Sequence, residues 1–194
     1  MPYIIAPLDE VKGEGQFPEF QGVLRALEAK AHARANSIWP GFSFGGLIPS
    51  SQEYGIGPLR KNDMSGDTTD SVASGSYTFR KNITATGWAD IFNYTVRTDM
   101  IHSLAGFLIS DDVLRITQLR LEIGKIRFPI WDIQEAQRYN KYAIVLKMDE
   151  GKELIAEPRS RMLARLYAES TGWQRVVPVG FSLFKHTDVV LTET

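Results

Sequence analysis

Apolar and polar residues alternate along much of the second half of this chain, which is the period-two signature of half-buried β-strands. From Ser76, the residues Tyr77, Phe79, Ile83 and Ala85 share one side, while Thr78, Arg80, Asn82 and Thr84 share the other. Gly87 interrupts the pattern. Phe92, Tyr94, Val96 and Met100 then alternate with Asn93, Thr95, Arg97 and Asp99, and the two segments are expected to pair antiparallel.

Between Leu119 and Ile130, a Gly124-Lys125 pair separates two alternating runs. Glycine at the first central position suits a type II′ turn. That turn sets Ile123 opposite Ile126, Leu121 opposite Phe128 and Leu119 opposite Ile130, with Glu122 facing Arg127 on the other side. Pro129 has no N–H to give to a ladder, so its strand belongs at a sheet edge or carries a bulge there.

Further strands are expected at Tyr142 to Met148, Glu153 to Ala156, Val176 to Phe184 and Val189 to Leu191, with a turn at Asp149 to Lys152. Gln134 to Lys141 reads as one polar helical turn. The segment Pro158 to Ser170 fits two patterns. Met162, Leu163, Leu166 and Tyr167 have helical spacing, giving a second helix near 158–170, and a strand reading survives beside it.

The first half is different. Met1 to Phe17 mixes prolines, glycines and charges without a period and reads as an extended arm. Pro18 then opens an amphipathic helix to about Ala35, in which Phe20, Val23, Leu24, Leu27 and Ala31 form one stripe. Residues 38–76 form a long irregular loop carrying Trp39, Phe42, Phe44 and Tyr54 among glycines and prolines. The expectation is a mainly β protein, an antiparallel sandwich or partly closed barrel of which a jelly roll is one form, with one early helix. Its organisation is an arm over 1–17 and a single domain over 18–194.

Composition narrows the picture. A hydrophobic share of 43% suits a packed core, and 22 basic against 23 acidic residues leave a net charge of -1, with no global attraction for nucleic acid or an anionic membrane. The chain has no cysteine, which removes disulfides, thiolate metal sites and a cysteine nucleophile. Met1 to Glu10 lacks the basic-then-apolar order of a secretion signal, and no apolar run reaches the length of a membrane span.

Candidate chemistry is thin. Gly41-Phe42-Ser43-Phe44-Gly45 matches the spacing of a hydrolase nucleophile elbow, but the elbow needs a strand before its serine and a helix after it. Here a helix comes first. His102 or His186 would have to act as base for Ser43. His32, His102 and His186 are scattered, with Asp99 beside His102 and Asp188 beside His186 as two-ligand pairs on loops. Asp63, Asp67 and Asp70 offer oxygen ligands without the EF-hand order.

Arg115, Arg120, Lys125, Arg127, Arg138 and Lys141, then Arg159, Arg161 and Arg165, make two basic clusters. Such clusters more often solvate a sheet face than hold phosphate. Two Asn-x-Thr triplets, at Asn82 and Asn93, fall in expected strands and read as chance.

The favoured expectation is a non-enzymatic, self-assembling structural subunit, such as a viral coat, capsid or decoration protein in a virion. Its partners are copies of itself and other particle proteins; nucleic acid is less favoured, and no membrane contact or cofactor is expected. Phe17, Trp39, Phe42, Phe44, Tyr54 and Pro129 are the expected assembly residues, because an apolar arm, an aromatic loop and a proline-blunted edge suit a neighbour's surface. The competing readings are a monomeric sandwich or barrel binding a sugar or small molecule through Trp88, Trp131 and Trp173, and a serine hydrolase using Ser43.

Overall fold

The computed structural model describes residues 3–7, 18–45, 52–60, 63–64, 80–109, 113–133, 142–146 and 154–186. It is mainly β, with two sheets, one of them curled into a half-barrel, and a single helix.

The elements run β1 (Tyr3–Pro7), α1 (Pro18–Ile38), β2 (Ser43–Phe44), β3 (Glu53–Pro58), β4 (Arg80–Ile83), β5 (Gly87–Thr95) and β6 (Met100–Ile109). Then come β7 (Ile116–Ile123), β8 (Ile126–Arg127), β9 (Trp131–Asp132), β10 (Tyr142–Leu146), β11 (Ile155–Ala156), β12 (Arg161–Ala168) and β13 (Gly172–Lys185). Among the described residues, eight strands make the first sheet, in the order β1-β10-β6-β13-β3-β2, with β11 also on β6 and β4 also on β13. Five make the second, in the order β5-β12-β7-β8, with β9 also on β7. All pairs are antiparallel except β2 with β3.

The strand β6 is the centre of the molecule. Met100 to Phe107 are buried without a break, which a strand shows only when both its faces are covered. The helix α1 packs on β6, β13 and β10, burying Leu27, Ala31 and Ala35. The second sheet covers the opposite face.

Three bulges tune the core. At β5 Ile91 is the extra residue, between the pairs Asp90 with Arg165 and Phe92 with Ala164, so both Ile91 and Phe92 turn inward. At β7 the extra residue is Thr117, and Ile116 and Thr117 are both buried. At β6 it is Ala105, opposite the step from Val179 to Gly180. A Cβ on Gly180 would stand 1.9 Å from the Ser103 carbonyl oxygen, so only glycine lets the two backbones close at this bulge.

Pro178 also has a place. On the side of β13 away from β6, β4 pairs with residues 172–175 and β3 with residues 181–185. Pro178 falls between them, where its missing N–H costs no ladder bond.

The hairpin forms as the sequence indicates over its first pairs, Ile123 with Ile126 and Glu122 with Arg127. Gly124 has φ 59 while Lys125 keeps a negative φ, as a type II′ turn requires. The Phe128 N–H reaches the Leu121 carbonyl at 3.0 Å. Past Pro129 the register slips by one residue. Leu119 pairs with Trp131 instead of Ile130, so Trp131 is buried and Ile130 is half exposed.

Several expectations are corrected. The second helix near 158–170 is not formed. Arg159 takes a left-handed turn (φ 66), and β12 follows as a central strand paired on both sides, with Met162, Ala164, Leu166 and Ala168 facing the core at period two. The strands β4 and β5 do not pair, because the exposed link Thr84 to Thr86 carries the chain from one sheet to the other. The stretch from Phe92 to Met100 is not one strand, since Met100 N–H closes a turn on the Arg97 carbonyl before β6 begins. Inside the expected loop 38–76, β2 and β3 form, and Tyr3–Pro7 of the expected arm joins the chain's own sheet on β10. The elements expected over residues 76–79, 134–141, 147–153 and 189–191 lie outside the described residues.

Candidate functional site

Four of the six residues expected to serve assembly, Trp39, Phe42, Phe44 and Tyr54, gather where the end of α1 meets β2, β3 and the end of β13. Trp39 N–H extends the helix by bonding the Ala35 carbonyl at 2.8 Å, and Phe42 N–H returns to the Trp39 carbonyl at 3.1 Å. This turn delivers the chain to β2, where Ser43 N–H bonds the Gln52 carbonyl and Gly45 N–H the Tyr54 carbonyl.

Side chains then interlock. Tyr54 is buried and donates its hydroxyl proton to Asn36 Oδ1 (3.2 Å), while His32 Nδ1 lies 3.1 Å from the Tyr54 hydroxyl oxygen. Burial pushes the Tyr54 phenol above its ordinary pKa. His32 meets Phe44 edge-on at 4.7 Å, and Trp39 and Phe44 each stand 5.9 Å from Tyr54. Lys185 places its ammonium 4.5 Å from the Phe42 ring centre and 5.2 Å from that of Trp39, fastening the end of β13 to this corner.

The expected residues therefore divide. Trp39 and Tyr54 are core, only 4% and 1% exposed, and Phe42 is half-buried against Lys185. Phe44 is 55% exposed on β2, the last strand of its sheet. Pro129 is far along the chain, on the hairpin of the other sheet, flanked by the exposed Ile126 and Ile130. Phe17 lies outside the described residues.

Ser43 shares this corner but lacks the elbow's surroundings. It follows α1 and a turn, in a two-residue strand beside β3. His186 Nε2 comes within 3.1 Å of where a Cβ on Gly45 would stand, and no hydrogen bond joins it to Ser43 among the described residues. His102, the other candidate base, makes no hydrogen bond to Ser43 among the described residues. It lies fully buried on β6, not on a loop, with Nδ1 2.7 Å from the Tyr94 hydroxyl.

The paired metal readings fare similarly. Asp99 is held by the Arg97 guanidinium at 2.6 and 3.0 Å. Asp63 accepts the Arg60 N–H at 3.3 Å, and burial raises its pKa. Asp67, Asp70 and Asp188 lie outside the described residues, among which no three acidic or histidine side chains converge as a metal ion needs. No described helix is long and apolar enough to cross a membrane.

The tryptophans proposed for a sugar site are dispersed. Trp131 is core, stacked on Phe128 at 6.2 Å; Trp88 meets Tyr167 on the second sheet; Trp173 is exposed on β13 opposite Asn82 of β4.

Much of the basic charge is answered by the sheet itself. Arg120 and Arg127 both pair with Glu122 (2.8 and 3.0 Å), Arg165 donates to Asp90 at 2.8 Å, and Arg161 donates to Asn93 at 3.0 Å. These pairs run across β5, β12, β7 and β8, as expected of a solvated sheet face.

Sequence reasoning missed a buried polar group around His102. Tyr94 from β5 touches both His102 of β6 and Met162 of β12, whose sulfur lies 2.9 Å from the phenol oxygen. The signal available was the run Met100 to Ile109, apolar but for His102 and Ser103, which is the pattern of a strand buried on both faces.

No model of a known protein family matches the chain, and no curated protein matches it in sequence.

Proposed function

We propose that the chain is a non-enzymatic structural subunit that assembles with copies of itself, as coat, capsid and decoration proteins do. The observation that supports this is Phe44, a large aromatic 55% exposed at the end of an eight-stranded sheet, held in position by His32 and Tyr54. A ring fixed by its neighbours loses little freedom on docking. Covering the exposed half of a phenylalanine removes about 100 Å² of apolar surface, or about 2.5 kcal/mol per copy. The Ile126, Pro129 and Ile130 edge of the second sheet supplies a separate apolar surface, so one subunit has two different patches with which to meet neighbours.

The arm needs a different role from the one expected of it. Tyr3–Pro7 is part of the chain's own sheet, so removing residues 1–17 tests folding as much as assembly. Phe44→Glu tests assembly more directly, since Phe44 is more than half exposed. Sedimentation velocity and light scattering on the full chain should show a large homogeneous oligomer, reduced by Phe44→Glu to a monomer with an unchanged circular dichroism spectrum and a cooperative thermal transition at a lower midpoint. A wild-type chain that stays monomeric at high concentration would overturn the reading.

A further inference from the structure

Among the described residues, two buried polar atoms without a protein partner face the same space inside the sandwich. Ser182 of β13 stands directly opposite His102 of β6 in the antiparallel register. Directly opposed residues project on the same side of a sheet, and His102 shows which side, because its ring bonds Tyr94 of the other sheet. Both residues are buried, at 0% and 1% exposure. Among the described residues, neither His102 Nε2 nor Ser182 Oγ has a hydrogen-bond partner.

Where the ring proton sits depends on what the other nitrogen does. Tyr94 has one hydroxyl proton and two acceptors within reach, His102 Nδ1 at 2.7 Å and Met162 Sδ at 2.9 Å. A neutral imidazole nitrogen is a better acceptor than a thioether, so we take the arrangement in which Tyr94 donates to Nδ1 over the one in which Nδ1–H donates to the phenol oxygen and Tyr94 donates to Met162 Sδ. Nε2 then bears the imidazole hydrogen and is a donor inside the core. Leaving it unanswered costs about 1 to 3 kcal/mol, and the serine hydroxyl adds a second unanswered group.

The side chains differ in reach. Serine ends one bond beyond Cβ, whereas Nε2 lies across the imidazole ring from Cβ. From neighbouring Cα positions about 5 Å apart, the ring therefore extends beyond the hydroxyl.

We propose that one internal water sits between His102 and Ser182, accepting from Nε2–H and bonding Oγ. It completes a polar chain of Tyr94, His102, water and Ser182, which joins β5 of one sheet to β6 and β13 of the other. Two protein partners meet the minimum for a retained buried water. The chain is a fastening across the middle of the sandwich, at a place where the sequence otherwise supplies only apolar contact.

Nitrogen NMR on the full chain with labelled histidine reads the tautomer, and cross-relaxation from the imidazole Nε2 proton reads the water. The expected result at neutral pH is a protonated Nε2, slow to exchange, with a cross-peak to a long-lived water. Ser182→Ala should weaken that cross-peak and lower the folding constant about tenfold. Ser182→Val, which fills the space with methyl groups, should abolish the peak and lower the constant about a hundredfold. A protonated Nδ1 with Ser182 bonded directly to Nε2 overturns the proposal, as does a wild-type protein with no water cross-peak. Ser182→Val at wild-type stability also overturns it, since a dry space would accept the methyls. The two wild-type measurements decide the matter even where a variant fails to fold.

Discussion

The two sheets handle burial in opposite ways. The eight-stranded sheet has α1 on one face and the second sheet on the other, so its central strand β6 is buried from Met100 to Phe107 and its polar residues must find partners inside. The five-stranded sheet has one face in the core and one in water, where Arg120, Arg127, Arg161 and Arg165 meet Glu122, Asp90 and Asn93. The contrast implies that equal changes in polarity or size have very unequal costs on the two sheets.

The sharpest way to break that comparison is at Gly180. A Cβ there would stand 1.9 Å from Ser103 O, which is backbone and cannot swing aside. Gly180→Ala should cost about 3 kcal/mol or more, at the upper end of overpacking penalties, and Gly180→Val should leave no cooperative transition in urea. A Gly180→Ala protein within about 1 kcal/mol of the original would mean that β6 and β13 can separate at their bulge, and that the inner sheet is not the rigid one.

His102 sharpens the comparison through pH. Burial, with a smaller contribution from the Arg97 charge, lowers its pKa to about 3 from the ordinary 6.5. The folded state therefore keeps His102 neutral while the unfolded chain takes up a proton below about pH 6.5. Stability falls as pH drops from about 6.5 toward about 3, by on the order of 4 to 5 kcal/mol over the whole interval, and is independent of this group outside it. The raised pKa of Asp63 acts in the opposite sense, since its protonation on acidification favours the fold. Urea titrations at half-unit steps should show the loss, and His102→Leu should remove most of the slope. A slope that survives His102→Leu would place the acid sensitivity in the carboxylates of the outer sheet.

The same contrast explains what the sequence revealed. The hairpin from Leu119 to Phe128 was legible because one face is wet, so Glu122 and Arg127 alternate with Leu121, Ile123 and Ile126. The slip beyond it was not, because a one-residue bulge after Pro129 exchanges Ile130 for Trp131 without disturbing composition. The strand β6 was hidden because burial on both faces removes alternation. The strand β12 was ambiguous because Met162, Leu163, Leu166 and Tyr167 fit two periods, and only pairing with both β5 and β7 decides between them. Of the aromatic loop, the clustering of Trp39, Phe42, Phe44 and Tyr54 was legible as a surplus of rings. Which of them would remain exposed depended on where α1 and Lys185 came to rest, and no local pattern encodes that.

The smallest effect belongs to the wet face. Arg165 and Asp90 are each about a third exposed, 36% and 30%, and their bond joins the bulged edge strand β5 to β12. Water competes for both charges, and holding the long arginine side chain has an entropic cost, so Arg165→Ala should lower stability by only about 0.5 kcal/mol. Raising the salt from 0.05 to 0.5 M should narrow the gap between wild type and variant, because screening weakens the remaining ion pairs in both proteins and this pair only in the wild type. Two urea curves at two salt concentrations measure it. A loss above about 2 kcal/mol would mean that this face is desolvated in solution, which is the result expected if a neighbouring subunit covers it. The least consequential substitution on the molecule therefore also reports on whether its outer sheet is an outer surface at all.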